Sequence, residues 1–347
     1  MSKVFVTGGT GFVGSALVRA LVAHGDEVTL LVQKNDSQAK SVDGLAIKIV
    51  EGDILNLDSF KVAAQGTEVF YHAAFLYTLP AIGIRKEPRM DAVNLQGTKN
   101  AVEVAQSVGV KKFVFTSSVY TIGQLGKHIT ADEKDHIPPG KEIGYYGRTK
   151  RIAEDYVLTK ARAEGFPAVV VNPSAIFGPG DSRPTPSGEI VIKFLQKKYP
   201  GYFDALVAVA DVDDVAQGHI LAAERGKIGE RYILCNEKNY TEKELFEIFE
   251  KVSGIPAPKT KFPVWFMNIF VQADEWIRRF FPKHKVLIYW DHFRLAKDFV
   301  AFSNKKAVME LGWTTKPFEE TARKAVLWYK AHGMWHKAGI SDSGDMK

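Results

Sequence analysis

The sequence predicts an α/β protein: a doubly wound parallel sheet covered by helices on both faces, followed by a smaller, mostly helical C-terminal subdomain. Three observations carry this. Through the first half, short β-rich apolar runs alternate with longer segments of helical period. The runs are apolar almost throughout rather than at every second residue, as in strands buried on both faces. Beyond Pro173 the alternation gives way to a Gly/Pro-rich loop and a series of helical segments.

KVFVT (3–7) is the first strand, and EVTLLV (27–32), AIKIV (46–50), EVFYHA (68–73), KFVFT (112–116) and AVVVN (168–172) are the others. Residues 12–24, 90–108 and 145–164 read as helices between them. After NPSAIFGPGDSRPTPSG, helical segments follow near 189–198, 213–224, 241–252, 264–281 and 317–332. The expected division is 1–173 for the sheet core and 174–335 for a substrate-binding subdomain with room to return elements to the core, with a frayed tail over 336–347. No internal repeat or low-complexity tract is visible.

Composition narrows the class. The chain has 347 residues, 46% hydrophobic and 25% charged, enough for one large domain or two unequal ones and far from the disordered range. A single cysteine, Cys235, excludes an intrachain disulfide and leaves no cysteine cluster for a metal, which fits a reducing, cytoplasmic compartment. MSKVFVTGG holds too short an apolar run for a signal peptide, and no segment reaches the ~18 apolar residues of a membrane span. A soluble chain follows, at most membrane-peripheral. The net charge of +6 would suit a polyanion, yet nucleotide phosphates also need cations. No zinc spacing, recognition helix or aromatic RNA-binding motif points to nucleic acid.

The turn after the first strand, TGGTGFVG, contains Gly9-x-Gly11-x-x-Gly14 and opens an amphipathic helix. In that strand–turn–helix setting the pattern is a dinucleotide fingerprint: glycines permit the tight turn and the close approach of backbone to pyrophosphate, which sits at the helix N-terminus. Gly8, Thr10, Gly11, Phe12, Val13 and Gly14 are therefore expected at the cofactor. The second strand ends Val32-Gln33-Lys34-Asn35, with the first acid only at Asp36. An acid at the strand end would hold the ribose hydroxyls of NAD. Gln33 and Lys34 instead leave room for the extra phosphate of NADP, so NADP(H) is favoured and NAD(H) remains open, with Asp36 free to swing onto the ribose. Asp53, with Ile54 after it, follows the third strand and is placed to reach the adenine amino group or to cap a helix.

YYGRTK (145–150) supplies a proton-transfer device. Residues four apart share a helix face, so Tyr146 meets Lys150, whereas Tyr145 meets Thr149. An ammonium group favours the phenolate and draws a phenol of pKa ~10 toward the working range. Tyr156 and Lys160 repeat the spacing, but position decides between the pairs. The crevice of a doubly wound sheet lies at the carboxyl ends of its strands, where Tyr146 starts its helix, while Tyr156 lies about 15 Å down the axis. Thr116-Ser117-Ser118 ends the strand KFVFT at the same place, and Ser118 is chosen over Ser117 to hydrogen-bond a substrate carbonyl, with Thr116 on the cofactor side.

With TGGTGFVG at 7–14, GDI at 52–54, HAA at 72–74, NLQGT at 94–98, TSS at 116–118, YGRTK at 146–150 and NPSAIFGPGD at 172–181, the chain resembles an extended short-chain dehydrogenase/reductase, with a Rossmann-like core, over about residues 2 to 333. The resemblance implies that Ser118, Tyr146 and Lys150 are the catalytic triad, that Lys150 also holds the nicotinamide ribose, that Ala73 and Ala74 lie beside the cofactor, and that Pro173 to Ile176 lie near the nicotinamide. It also implies a homodimer. The C-terminal half is most similar to the hopanoid-associated sugar epimerase-like branch, itself similar to dihydroflavonol reductases and 3β-hydroxysteroid dehydrogenases.

Sugar-nucleotide branches carry an arginine where this chain has Val171-Asn172-Pro173, and that departure argues against a nucleotide-diphosphate substrate. Phe75, Leu76, Tyr77, Leu79 and Ile82, in FLYTLPAIGI, and Ser118 and Asn172 are expected to face the substrate, a hydrophobic small molecule. Arg231 is read as a surface ion pair rather than an anion site. The segment 264–281 has Asn268, Gln272, Glu275 and Arg279 as a narrow polar stripe on an otherwise apolar helix. It could be buried in the subdomain, close over an apolar substrate, or lie on a membrane with Arg278, Arg279, Lys283, His284 and Lys285 near lipid phosphates. The expected activity is NADP(H)-dependent reduction of a ketone or aldehyde, or oxidation of the secondary alcohol, in a hydrophobic molecule. The alternatives are an NAD-dependent nucleotide-sugar epimerase or dehydratase and, less favoured, a non-catalytic dinucleotide sensor.

Overall fold

Seven strands form one parallel sheet in the computed structural model, which describes residues 1–77, 88–123, 129–281 and 301–336. They are β1 (Lys3–Thr7), β2 (Glu27–Val32), β3 (Lys48–Glu51), β4 (Val69–His72), β5 (Lys112–Thr116), β6 (Ala168–Pro173) and β7 (Arg231–Leu234). Their order across the sheet is β7-β6-β5-β4-β1-β2-β3, every neighbouring pair parallel. The chain winds outward in both directions from β1, so its crevice opens beside the carboxyl ends of β1 and β4.

Period-two geometry explains the continuous apolar runs. Val4, Val6, Val114, Val169 and Val171 face one helix layer, and Phe5, Phe113, Phe115, Ala168 and Val170 face the other, each set in its own core cluster. On the second face Phe5, Phe70, Phe113 and Phe166 stack across the strands at centroid spacings of 5.1, 5.4 and 5.2 Å. The first face is covered by α1 (Phe12–His24), the second by α2 (Gly97–Val108) and α3 (Gly144–Glu164). These three helices stop at Gly25, Gly109 and Gly165, each in the left-handed conformation that releases the chain into the next strand.

The C-terminal region adds α4 (Pro186–Leu195), α5 (Val212–Arg225), α6 (Glu242–Ser253), α7 (Val264–Phe280) and α8 (Phe318–Ala331). Phe177, Phe194, Phe246, Phe249, Phe318 and Tyr329 form a separate aromatic core between α4, α6 and α8. The sequence gives no sign of β7, whose RYIL follows a charged stretch and is too short to show a period. It returns to the sheet edge beside β6, and Trp313 and α5 join the first core cluster with it. α7 overturns the burial expected of an apolar helix. Met267, Val271 and Asp274 are buried on its inner side, with Val264 packed against the same cluster, while Trp265 is 66% and Trp276 60% exposed. Among the described residues no helix is long and apolar enough to cross a membrane.

Phe113→Ala should therefore cost ~3–5 kcal/mol in denaturant unfolding, from lost transfer energy plus a cavity in the stacked aromatic layer. Trp265→Ala, on the uncovered face, should stay within ~0.5 kcal/mol of wild type.

Candidate active site

The glycine turn leads out of β1 with Gly8 at φ +74°. A Cβ on Gly8 would come within 2.4 Å of the Ala74 amide nitrogen, and one on Gly14 within 2.0 Å of the Gly8 carbonyl oxygen. Backbone thus packs on backbone from Gly8 to Ala73 and Ala74, leaving a shallow cradle that any side chain would fill. Phe12 is buried beneath it and Val13 packs at the same helix start. At the far end, Gln33, Lys34, Glu51, Gly52 and Asp53 line an open cavity of about 390 Å³. Asp36 is already engaged: its carboxylate accepts from the Thr10 hydroxyl at 2.6 Å and from the Gln38 amide at 2.9 Å. Asp53 accepts from the Leu55 amide at 2.9 Å, a local turn, and the next helical turn, Asp58–Lys61, starts beyond Leu57. Ile54 packs under Gly97 at the start of α2. Near the other end of the crevice, at the ends of β5 and β6, the Ser117 and Ser174 hydroxyls are buried without a protein partner, and Pro173 and Ile176 flank them. A cradle closed to side chains, an open adenosine-sized cavity and orphaned hydroxyls fit a dinucleotide.

α3 begins at Gly144, so Tyr146 lies in its first turn and Lys150 one turn later on the inner face. Tyr146 is half-buried and meets three rings edge-on: Tyr77 at 4.5 Å, Tyr120 at 5.5 Å and Phe75 at 6.0 Å. Burial pushes its phenol above the ordinary range, and a hydrogen bond with the Ser118 side chain pulls the other way. Ser118 leads the turn after β5, where its hydroxyl accepts from the Tyr120 amide at 3.3 Å. The Lys150 ammonium donates to the Thr116 carbonyl at 2.7 Å and sits 3.3 Å from the centroid of the Phe75 ring. Complete burial holds its pKa well below the ordinary lysine value, and the carboxylate of Glu154 opposes that shift. Tyr156 and Lys160 lie outside this group. Tyr156 packs beside the second core cluster, and Lys160 pairs with Glu164 at 2.7 Å.

Two histidines border the buried lysine. The Thr98 hydroxyl donates to the Asn94 carbonyl at 2.7 Å, so at its 3.0 Å contact with His72 Nε2 it accepts. His72 therefore carries its proton on Nε2, and Nδ1 accepts from the Thr7 hydroxyl at 2.7 Å. Burial, reinforced by the Lys150 charge, drives the His72 pKa down to about 3, and burial lowers His219, bonded to the Thr116 hydroxyl at 2.8 Å, to about 4. Both are neutral at physiological pH.

Asn94, inside the NLQGT motif but given no role by sequence reading, pins the substrate-side loop. Its side chain accepts from the Leu76 amide at 2.7 Å and donates to the Leu76 carbonyl at 2.9 Å and to the Thr149 hydroxyl at 3.2 Å. The motif was the available signal; the pairing joins residues too far apart in sequence to be read. Asn172 is fully buried behind Ser118, with its amide donating to the Ser118 carbonyl at 3.1 Å. Arg231 corrects the surface reading: it is buried, and its guanidinium bonds Glu154 at 2.7 Å. Leu79 and Ile82 lie outside the described residues.

Residues 4–235 match the NAD dependent epimerase/dehydratase family. The chain belongs to that family, the extended short-chain dehydrogenases/reductases, and is an NAD(P)-dependent oxidoreductase. It is 36% identical, over 95% of both chains, to a protein of Synechocystis sp. bearing the name dihydroflavonol 4-reductase. It is 30% identical to sterol demethylase protein B of Methylococcus capsulatus, over 95% of this chain and 98% of that one. The crystal structure of gox2253 superposes with a TM-score of 0.84 at 32% identity, covering 96% of this chain and 99% of that one.

An unfolded histidine takes up a proton near 6.5, and His72 does so only near 3. Its contribution to stability is therefore full above pH 6.5 and lost as pH falls below it. Asp181, raised to about 6, and Glu242, raised to about 7, act in the opposite sense over the same window, so the comparison must be between variants. Between pH 7 and 5, His72→Gln should lose about 2 kcal/mol less than wild type in denaturant unfolding.

Proposed function

We propose that the protein is an NADP(H)-dependent reductase of a ketone or aldehyde in a hydrophobic molecule, or the reverse dehydrogenase. The observation that carries this reading is the enclosure of Tyr146 by Phe75, Tyr77 and Tyr120, with Lys150 beneath. Aromatic walls reward an apolar ligand by area and offer a diphosphate no cation. Arg231, the cation that could have met one, is turned inward onto Glu154. The names of the two relatives, dihydroflavonol 4-reductase and sterol demethylase protein B, point the same way.

In this reading the turn Gly8–Gly14 holds the pyrophosphate, Asp53 and Ile54 the adenine, Ala73, Ala74 and Thr116 the middle of the cofactor, and Pro173 and Ile176 its nicotinamide end. NADP is favoured because Lys34 faces the open cavity while Asp36 is held by Thr10 and Gln38. The nicotinamide, when bound, supplies or accepts the hydride. Ser118 hydrogen-bonds the carbonyl oxygen, Tyr146 donates the proton to it, and the Lys150 charge favours the phenolate left behind. Phe75 and Tyr77 orient the substrate, and Asn172 serves it only through Ser118.

The expected result with dinucleotide-stripped protein is net oxidation of NADPH by apolar ketones. Tyr146→Phe should keep dinucleotide binding and lose turnover by at least ~10²-fold. Sugar interconversion without net NADPH oxidation would overturn the assignment.

We further propose that α7 lies on an anionic bilayer, bringing the crevice to substrates that partition into lipid. Trp265, Ile269, Trp276, Ile277 and Phe280 expose one continuous apolar face, and the sequence places Arg278, Arg279, Lys283, His284 and Lys285 at its C-terminal end. The full chain should float with anionic vesicles, and Trp265→Glu with Trp276→Glu should cut the bound fraction by about tenfold. If the same substitutions instead dissolve the expected homodimer in sedimentation, the face belongs to a second copy.

A further inference from the structure

Glu154 and Arg231 are charged residues buried behind the Ser118 turn, and the mechanism above uses neither. Their side chains are each 2% exposed, and Arg231 Nη1 donates to Glu154 Oε1 at 2.7 Å. A buried ion pair is a poor source of net stability, because desolvating both groups offsets most of their attraction, so its presence here points to another role.

The surroundings of the pair indicate which. The second carboxylate oxygen of Glu154 accepts from the Thr121 hydroxyl at 2.8 Å and from the Asn172 amide at 2.7 Å. The Asn172 amide also donates to the Ser118 carbonyl at 3.1 Å, and the Thr121 hydroxyl lies 2.8 Å from that carbonyl, its single proton serving either Ser118 or Glu154. Glu154 is thus one hydrogen-bonded step from the Ser118 backbone. It also lies one helical turn from Lys150 and two from Tyr146, and is buried with Lys150 on the inner face of α3. Arg231 anchors it from the other side: Nε donates to the Glu133 carbonyl at 3.0 Å and Nη2 to the Asp135 carbonyl at 2.8 Å.

We propose that Glu154, clamped by Arg231, is a positioning residue for the Ser118–Tyr146–Lys150 group, fixing the Ser118 turn through Thr121 and Asn172 and setting a counter-charge one turn from Lys150. This rests on the catalytic reading of those three residues given above. The ionisable groups facing Lys150 are Tyr146 and Glu154 from its own helix, His72 from β4 and His219 from α5, with Arg231 from β7 beyond Glu154. Both histidines are neutral, so Glu154 is the anion of that set. Without it the ammonium would keep its burial and lose its compensation.

Glu154→Gln alone leaves Arg231 buried and unpaired, and it should lose stability. Glu154→Gln combined with Arg231→Met removes both charges at similar volume, and it should fold and bind NADPH within about twofold of wild type. The decisive readout needs no substrate: an NMR titration of protein labelled with ¹⁵Nζ-lysine, the Lys150 signal being the one absent from Lys150→Met. In the paired variant the Lys150 midpoint should fall by about one pH unit. With a turned-over ketone, kcat should drop about tenfold at unchanged KM, and the loss of activity at high pH should begin at lower pH. An unmoved Lys150 midpoint would overturn the proposal whatever the turnover shows. A lowered midpoint in a protein that reduces no ketone would uphold the counter-charge while sinking the reductase reading.

Discussion

The Lys150 ammonium sits where water does not reach, and a buried cation that stays charged must draw its stabilisation from groups fixed in advance. Here these are the Thr116 carbonyl, the face of the Phe75 ring and the carboxylate of Glu154. Each comes from a different place in the chain: the end of β5, the loop after β4 and the next turn of α3. The neighbours that could have carried competing charge, His72 and His219, are held neutral by the same burial and occupied by threonine hydroxyls. Position and protonation in this pocket are therefore one problem. A shift of any of these elements would change the charge on the lysine as well as its place.

The sheet makes such placement possible. Apart from the exposed edge strand β3, its strands are buried on both faces, with valines packed under one helix layer and stacked phenylalanines under the other, so the body of the sheet offers little surface to a ligand. Only the carboxyl ends remain. There the backbone of Gly8 packs so closely on that of Ala73 and Ala74 that a Cβ would clash, with the cavity at Lys34 on the β2–β3 side and the buried serines at the ends of β5 and β6 on the other. Rigidity in the core and chemistry at the strand ends follow from one sequence property, apolar strand interiors with polar residues such as Thr7, His72, Thr116 and Asn172 at or next to the carboxyl ends.

That property is also why the fold was legible. The first six strands and the helices between them have continuous apolar runs, a clear helical period and glycine stops, and the glycine turn and the Tyr146–Lys150 spacing are local signals. What could not be read was non-local. β7 is four residues long and is a strand only because the edge of β6 needs a partner. Asn94, in the helical turn just before α2, acts across to the loop at Leu76 and to Thr149. Arg231 looks like any charged residue at the start of a run, because Glu154 lies far away in sequence. For α7, composition gives apolar character but not coverage, and the neighbouring segments supply inward partners on one side only.

The same limit applies to the substrate. Sequence offered one observation on the segment around Asn172, Val171-Asn172-Pro173, where sugar-nucleotide branches of the resembled family carry an arginine, and a separate reading of Arg231 as a surface ion pair. In the fold the two residues belong to one cluster, since both donate to the carboxylate of Glu154, Arg231 to one oxygen and Asn172 to the other. All three nitrogens of the guanidinium are engaged by Glu154, Glu133 and Asp135. A cation so committed could serve an anionic ligand only by leaving a carboxylate buried without its partner, a loss of ~3–5 kcal/mol. The positive charge is thus on the protein side of the Ser118 turn, and on the crevice side of that turn stand the rings of Phe75, Tyr77 and Tyr120. Charge placement and wall chemistry thus support the proposed apolar carbonyl substrate on independent grounds.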